Sequence, residues 1–411
     1  MKSGCSYILK IISGSLCLII MLTSIFLGVP MAVYAVQEDY TDTAAGVGGQ
    51  DGDALGLSSA SAVLMEASTG QIIYEKNSNT SVAPASITKI MTLLLIFDAL
   101  QDGSIKLTDE VTVSEHAASM GGSQVFLEPM EVQTVDTMIK CISMASANDA
   151  CVSMAEYIGG TEEAFVEKMN ERAAGLGMQN THFVNSCGLD TDGHVSSAMD
   201  VALMSRELIN KYPEIHNYST VWMDTITHTT RRGTSEFGLT NTNKLIKQYQ
   251  WATGLKTGST SKAGCCLSAT ASKDGIDLIA VVMTAPNSKT RFAEAISLLN
   301  YGFSNCYIYK DEQPVEYEPP HISGGVKETL ETAPEKSFSC LFLTKPDTGK
   351  IERRIELSEN IAAPVNEGDQ VGCVIYSYEG KELGRIPIIS KGNVPRATFS
   401  DTIRKVINRF L

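Results

Sequence analysis

The sequence predicts an α+β fold, a mainly antiparallel sheet flanked by helices with a helical subdomain, followed by a small all-β domain. Three observations carry that expectation. A hairpin pattern, Ser59 to Met65, a turn at Ala67-Ser68-Thr69-Gly70 and then Gln71 to Tyr74, stands ahead of a block of helical periodicity. Two further strand-like runs, Gly264 to Ala271 and Leu278 to Met283, come after that block. Beyond a proline-rich shift at Gln313 to Pro320 the pattern is strands only.

The chain of 411 residues is long enough for two or three domains, and 43% hydrophobic with 19% charged residues is an ordinary globular balance. A net charge of -14 excludes a nucleic-acid surface, which needs a basic excess. Of ten cysteines, Cys5 and Cys17 fall in the N-terminal segment, and the others (Cys141, Cys151, Cys187, Cys265, Cys266, Cys306, Cys340, Cys373) show no C-x-x-C. No metal or cofactor is expected. Unpaired structural thiols are the preferred reading, with disulfides left open for an exported protein. His182, His194, His216 and His228 lie in polar contexts and read as solvated.

In order along the chain, Lys2 and Lys10 precede an apolar run from Ile11 to Leu27 and the small-residue ending Val33-Tyr34-Ala35. This is the layout of a secretory signal peptide over 1–35, cleaved after Ala35; the alternative is an uncleaved membrane helix. Residues 36–57 are rich in Asp, Gly, Ala and Thr and read as a flexible linker. The main α+β domain spans 58–309. Its first helix opens at Pro84, runs apolar on nearly every side from Ile87 to Leu100, and stops at Asp102-Gly103. Helical spacing returns from Thr134 to Tyr157, broken at Ser146-Ala147-Asn148-Asp149, then from Glu162 to Leu176, Ala198 to Ile209 and Thr290 to Tyr301. Thr225 to Asn243 is a polar, Thr-rich stretch. The small β-sandwich-like domain covers 310–394, with strands at Ser337 to Leu343, Ile351 to Leu357, Gln370 to Tyr378 and Leu383 to Ile389. Over 395–411, Phe399, Ile403, Val406, Ile407 and Phe410 repeat on one helical face with Arg404, Lys405 and Arg409 off it, which reads as an interfacial membrane anchor.

Ser86-x-x-Lys89 puts a hydroxyl and an amine on one face of a helix start. Alone the pair is weak, since Ser259-x-x-Lys262 repeats it. Its company is Ser146-Ala147-Asn148 at a break between helices and Lys256-Thr257-Gly258 entering a strand. A serine hydroxyl needs a base within reach. Lys89 can be that base when neutral, a state favoured by burial, the positive helix end and a second cation at Lys256. Ser146 can relay a proton, and Asn148 can orient Lys89 and bond a substrate amide.

Those three motifs resemble penicillin-binding proteins and serine β-lactamases. The closer similarity is to the low-molecular-mass D-alanyl-D-alanine carboxypeptidases of the peptidase S11 kind. It extends through Asn148-Asp149-Ala150-Cys151, Gly188-Leu189-Asp190, Asn241 to Leu245 and Gly254-Leu255, and covers about residues 58 to 305. The resemblance implies a β-lactamase/D,D-peptidase-like catalytic domain, with the all-β tail and terminal helix matching the family's second domain and anchor. It implies catalysis by Ser86, Lys89, Ser146, Asn148 and Lys256. The oxyanion hole would be made of the backbone N–H groups of Ser86 and Ser259. The substrate is a peptidoglycan stem peptide ending in D-Ala-D-Ala, its carboxylate held by Lys256, Thr257, Gly258 and Ser259. Arg291 matches the family's carboxylate-binding arginine, or else is an exposed cation at a helix start. β-Lactams are expected to acylate Ser86, and the site of action is the outer face of the bacterial cytoplasmic membrane or the cell wall. Cys187 departs from the pattern where relatives commonly carry histidine, which argues against a polar contribution from that loop. A serine β-lactamase of the same fold would want a glutamate to activate the deacylating water, and Glu207, inside a helix, is a poor candidate. A non-turnover penicillin-binding sensor is the rival of a different class.

Overall fold

The computed structural model describes residues 55–410, so the signal-peptide expectation and all of the linker before Leu55 lie outside the described residues. The first strand, β1 (Ser61–Glu66), forms the expected hairpin with β2 (Ile72–Lys76). Short strands β3 (Glu110–Thr112) and β4 (Val132–Thr134) pair at the edge of the helical block, and β5 (Met223–Thr230) with β6 (Gly233–Thr240) make a second, longer hairpin. Then β7 (Ala252–Thr260), β8 (Gly264–Lys273) and β9 (Ile276–Ala285) complete the main sheet. Its order is β2-β1-β9-β8-β7, with every neighbouring pair antiparallel.

Alternation along the strands decides what covers each face. In β9, Ile279, Val281 and Met283 point to the helical block, while Leu278, Ala280 and Val282 point to the opposite side. On that opposite side the helix Ser288–Asn305 contributes Phe292, Ala295, Leu298 and Leu299. Leu57, which the sequence places at the end of the linker, is buried in this same layer. The other face carries the helix Lys89–Gln101, whose residues are buried on nearly every side, as its sequence predicts. Around it pack Asn148–Gly159, Glu162–Gly175 and Ala198–Lys211.

Past Tyr307–Lys310 the regular elements among the described residues are strands, apart from the 3-10 turn Thr348–Lys350 and the last helix. A four-stranded antiparallel sheet orders Thr332–Pro334, Lys381–Ser390, Gln370–Tyr378 and Ile351–Leu357. Its core holds Val374, Ile386 and Ile388, with Phe338 stacked on Tyr376 at 3.8 Å between ring centroids. The last helix, Phe399–Phe410, is present where the amphipathic pattern puts it. No helix among the described residues is long and apolar enough to cross a membrane.

The polar, Thr-rich stretch, to which the sequence assigns no element, is largely the β5–β6 hairpin, with Ile226, His228 and Leu239 turned inward and threonines outward. One expectation is corrected here. His194 and His228 are not solvated: both are buried, His228 against the Glu131 carboxylate at 2.8 Å and His194 inside the helical block.

Candidate active site

The segment before the buried helix is a 3-10 turn, Ala85–Thr88, with Pro84 as its leading residue. In a 3-10 turn residues three apart eclipse one another, which brings Ser86 over Lys89. Two backbones brace the turn. A Cβ on Gly258 in β7 would meet the Ser86 and Ile87 nitrogens at 3.0 Å, and a Cβ on Gly188 would run into the Ala85 carbonyl oxygen. Both glycines therefore serve close approach, and Gly188 also has φ +86°. Ala85 itself sits at φ +48°, a left-handed conformation costing a non-glycine residue about 1–3 kcal/mol.

Lys89 is fully buried, and its Nζ has three neighbours: Ser86 Oγ at 3.1 Å, Asn148 Oδ1 at 2.6 Å and the Cys187 carbonyl oxygen at 2.6 Å. The Asn148 amide cannot be flipped without loss, because its Nδ2 donates to the Gly121 carbonyl at 2.7 Å. The Cys187 loop does contribute a polar group, through its main chain. Its thiol is buried and pushed up by burial, so the side chain plays no such part.

A break between helices presents Ser146 and Asn148. The chain winds through a π-type turn, Cys141–Ala145, then takes a left-handed step at Ser146 (φ 60°) before the helix Asn148–Gly159 starts. Ser146 Oγ is buried and has no hydrogen-bond partner among the described residues. A buried hydroxyl left unpaired costs about 1–3 kcal/mol, and such a group awaits a ligand or a water. Asp149 pins the neighbouring Gly-rich loop, Met120-Gly121-Gly122-Ser123 and the residues after it, its carboxylate accepting from the Val125 and Leu127 N–H groups at 3.1 Å each.

Strand β7 forms the facing wall. Lys256 is buried and donates to the Thr257 carbonyl at 3.0 Å. Burial holds it well below the usual lysine range, and the charges of Lys89 and Arg291 push the same way. Thr257 Oγ1 donates to Thr242 Oγ1 at 2.8 Å, a partner from the Asn241–Leu245 stretch. Arg291 is not an exposed cation at a helix start. It is buried, and Nη1 donates to Ser259 Oγ at 2.9 Å, Gly258 O at 3.0 Å and Cys266 O at 3.2 Å. Arg291 forms no ion pair among the described residues, and its buried guanidinium behind Ser259 makes the β7 edge a receptor for an anion. Lys262, of the duplicate motif, points to Asp192 at 3.8 Å on the surface.

The residues singled out from sequence thus converge: Ser86, Lys89 and Asn148 around one nitrogen, and Gly258, Ser259 and Arg291 around the β7 edge. One participant had no side-chain signal, the Cys187 carbonyl, and Gly188 was the only clue to it, as a position needing close backbone approach. No His/Cys/Asp/Glu group able to hold a metal occurs among the described residues.

A family model described as D-alanyl-D-alanine carboxypeptidase matches residues 50–287, and one described as penicillin-binding protein 5, C-terminal domain, matches 303–396. The D-alanyl-D-alanine carboxypeptidase DacF of Bacillus subtilis is 42% identical over 350 residues, covering 84% of this chain and 88% of its own. The carboxypeptidase DacC of Escherichia coli is 31% identical, over 82% of this chain and 84% of its own. Among solved structures, penicillin binding protein 5 from Haemophilus influenzae superimposes with a TM-score of 0.69 at 29% identity, over 83% of this chain and 98% of that one.

Two substitutions should move stability in opposite directions. Gly188→Ala meets the Ala85 carbonyl at a left-handed φ, and its melting temperature should fall by roughly 5–10 °C. Lys256→Met replaces a buried amine by an apolar chain of similar length and should raise it by about 2–4 °C. The Lys256 pKa lies lower in the folded than in the unfolded chain, so the unfolded state binds the proton more readily. The wild type therefore gains stability as pH rises toward 10.5, and the gap to Lys256→Met narrows in that direction. Thermal melts across that range check both points.

Proposed function

The chain belongs to the D-alanyl-D-alanine carboxypeptidase family, the peptidase S11 family, and from that membership we propose how its own residues perform the reaction. It is a serine-type D-alanyl-D-alanine carboxypeptidase and a penicillin-binding protein, with the β-lactamase/D,D-peptidase-like fold. The serine β-lactamase alternative is not favoured: Glu207 is engaged by Arg172 at 2.6 Å.

One observation supports the assignment of roles above the others, the arrangement around Lys89 Nζ. Asn148 Oδ1 and the Cys187 carbonyl can only accept hydrogen bonds. Lys89 Nζ donates to both and lies 3.1 Å from Ser86 Oγ; for acylation the amine keeps those two bonds and its lone pair takes up the Ser86 proton. Ser86 Oγ then attacks the carbonyl carbon of the penultimate D-Ala as its proton passes to Lys89. The developing oxyanion lies between the N–H groups of Ser86 and Ser259. The proton on Lys89 passes to Ser146 Oγ as Ser146 gives its own to the amine of the departing D-Ala. Ser146 Oγ, buried with no hydrogen-bond partner among the described residues, is free to serve as that relay, and Lys256 is the second amine of the site, held below the usual lysine range by burial. Water then cleaves the Ser86 ester. The terminal carboxylate is held by Thr257 and Ser259 over Gly258, with Arg291 supplying positive charge through Ser259. A penicillin follows the same first step and leaves a slowly hydrolysed ester on Ser86.

The family acts on the cell envelope, and export of this chain, its signal peptide over 1–35 and its placement at the outer face of the cytoplasmic membrane belong to the same proposal. So does a division into a linker to residue 57, a catalytic domain over 58–309, a β domain over 310–394 and a membrane anchor over 395–411. The anchor reading is supported by Phe399, 82% exposed, with Ile403 and Ile407 exposed along the same helix and Arg404 beside them. An apolar face of that kind, flanked by cations, suits an anionic bilayer surface.

Purified protein should release D-alanine from a D-Ala-D-Ala peptide. Ser86→Ala and Lys89→Ala should each lower release by at least about a thousandfold, and Lys256→Met by about a hundredfold or more, in a D-alanine assay. Full activity in Ser86→Ala would remove the assignment. Truncation before Val394 should abolish co-sedimentation with anionic phospholipid vesicles while D-alanine release persists. Co-sedimentation of the truncated protein would refute the anchor.

A further inference from the structure

The buried His194, which the mechanism does not use, is joined to the nucleophile's turn by a directed chain of hydrogen bonds. Its Nδ1 accepts from the Val184 N–H at 2.9 Å, so the ring proton of the neutral imidazole sits on Nε2. Nε2 is 2.8 Å from Thr88 Oγ1, and Thr88 Oγ1 donates to the Ala85 carbonyl at 2.9 Å. The chain therefore runs one way, from His194 N–H through the Thr88 hydroxyl to Ala85 O. All three residues are buried, His194 at 3% exposure, Thr88 at 0% and Ala85 at 1%. The far end matters because Ala85, in its left-handed conformation, is the residue immediately before Ser86.

We infer that His194 is a positioning residue for the acylation step: through Thr88 it holds the Ala85 carbonyl, and with it the strained turn that aims Ser86 Oγ at the substrate carbonyl. The chain adds to the bracing by Gly188 and Gly258 in opposing relaxation of Ala85 toward an ordinary φ, a relaxation that rotates Ser86 away from Lys89. The chain requires a neutral ring, since Nδ1 must keep its lone pair for Val184. Burial, reinforced by the charge on His182 and opposed by Asp190, takes His194 down to about 4 and meets that requirement at neutral pH. The inference rests on Ser86 as the nucleophile.

The two ring nitrogens can be tested apart. In His194→Gln the side-chain amide reaches as far as Nε2 and can still donate to Thr88, whereas in His194→Asn the amide oxygen falls near Nδ1 and keeps only the bond from Val184. The rate of Ser86 acylation by a labelled penicillin and the kcat and KM for D-alanine release are measured for both, alongside their melting temperatures. The expected result is acylation and kcat down about tenfold to a hundredfold in His194→Asn with KM within about threefold, and His194→Gln within about threefold of wild type. A role confined to supporting the Val184 segment reverses that order, and that result would overturn the inference, as would wild-type acylation in His194→Asn. Thr88→Ser against Thr88→Val repeats the comparison at the second link, with the loss expected in Thr88→Val alone; equal rates in that pair would also overturn it. If the wild type takes no penicillin on Ser86, the nucleophile assignment fails first, a result separate from any failure of the variants to divide by hydrogen bonding.

Discussion

A lysine amine buried with no carboxylate partner among the described residues is the constraint from which the rest of this site follows. Lys89 Nζ is held instead by one amide oxygen, one main-chain carbonyl and one hydroxyl, drawn from three separate parts of the chain. A carboxylate would lock the amine in an ion pair; here two neutral oxygens accept its hydrogen bonds and the Ser86 hydroxyl stands beside it. The structure maintains that arrangement at several costs. Ala85 and Ser146 adopt left-handed conformations, Ser146 Oγ lacks a hydrogen-bond partner among the described residues, and Lys256 and Arg291 lie buried in the same neighbourhood. Strain and unmet polarity of this kind concentrate where a site is set up for a reaction rather than for stability.

The scaffold explains how the three parts meet. The helix Lys89–Gln101 is rigid because it is apolar all round, and the sheet behind it is antiparallel and covered on both faces. One edge of that sheet, β7, runs along the Ser86 turn closely enough to require glycine at 258. The helix break at Ser146 arrives from the helical block, and the Cys187–Gly188 loop closes the remaining side. The Gly-rich loop that accepts from Asn148 is itself pinned by Asp149. Each wall is thus fixed by buried contacts rather than by surface ion pairs.

Periodicity made the sheet and the long helices legible, because burial writes a period of two or of 3.6 into the chain. It failed at β5–β6, where the buried positions are few and threonine takes most of the exposed ones, so the alternation carries little hydropathy contrast. The site was legible as side chains and motif order, and opaque where the chemistry is main-chain. Cys187 offers its carbonyl, a property every residue shares, and the unusual side chain at that position drew attention to the wrong atom. The buried histidines were hidden for a related reason: His194 and His228 stand among polar neighbours in sequence, and only the tertiary fold removes their water.

The central claim is that one oxygen, Ser86 Oγ, is presented to a substrate carbonyl between Lys89 and the β7 edge. A crystal structure of the protein soaked with a penicillin tests it most directly. The account predicts an ester to Ser86 Oγ, its carbonyl oxygen between the Ser86 and Ser259 N–H groups, and the ligand carboxylate against Thr257 and Ser259 on the Arg291 side. An adduct on any other side chain, or an ester whose carbonyl oxygen points away from those two N–H groups, would contradict it.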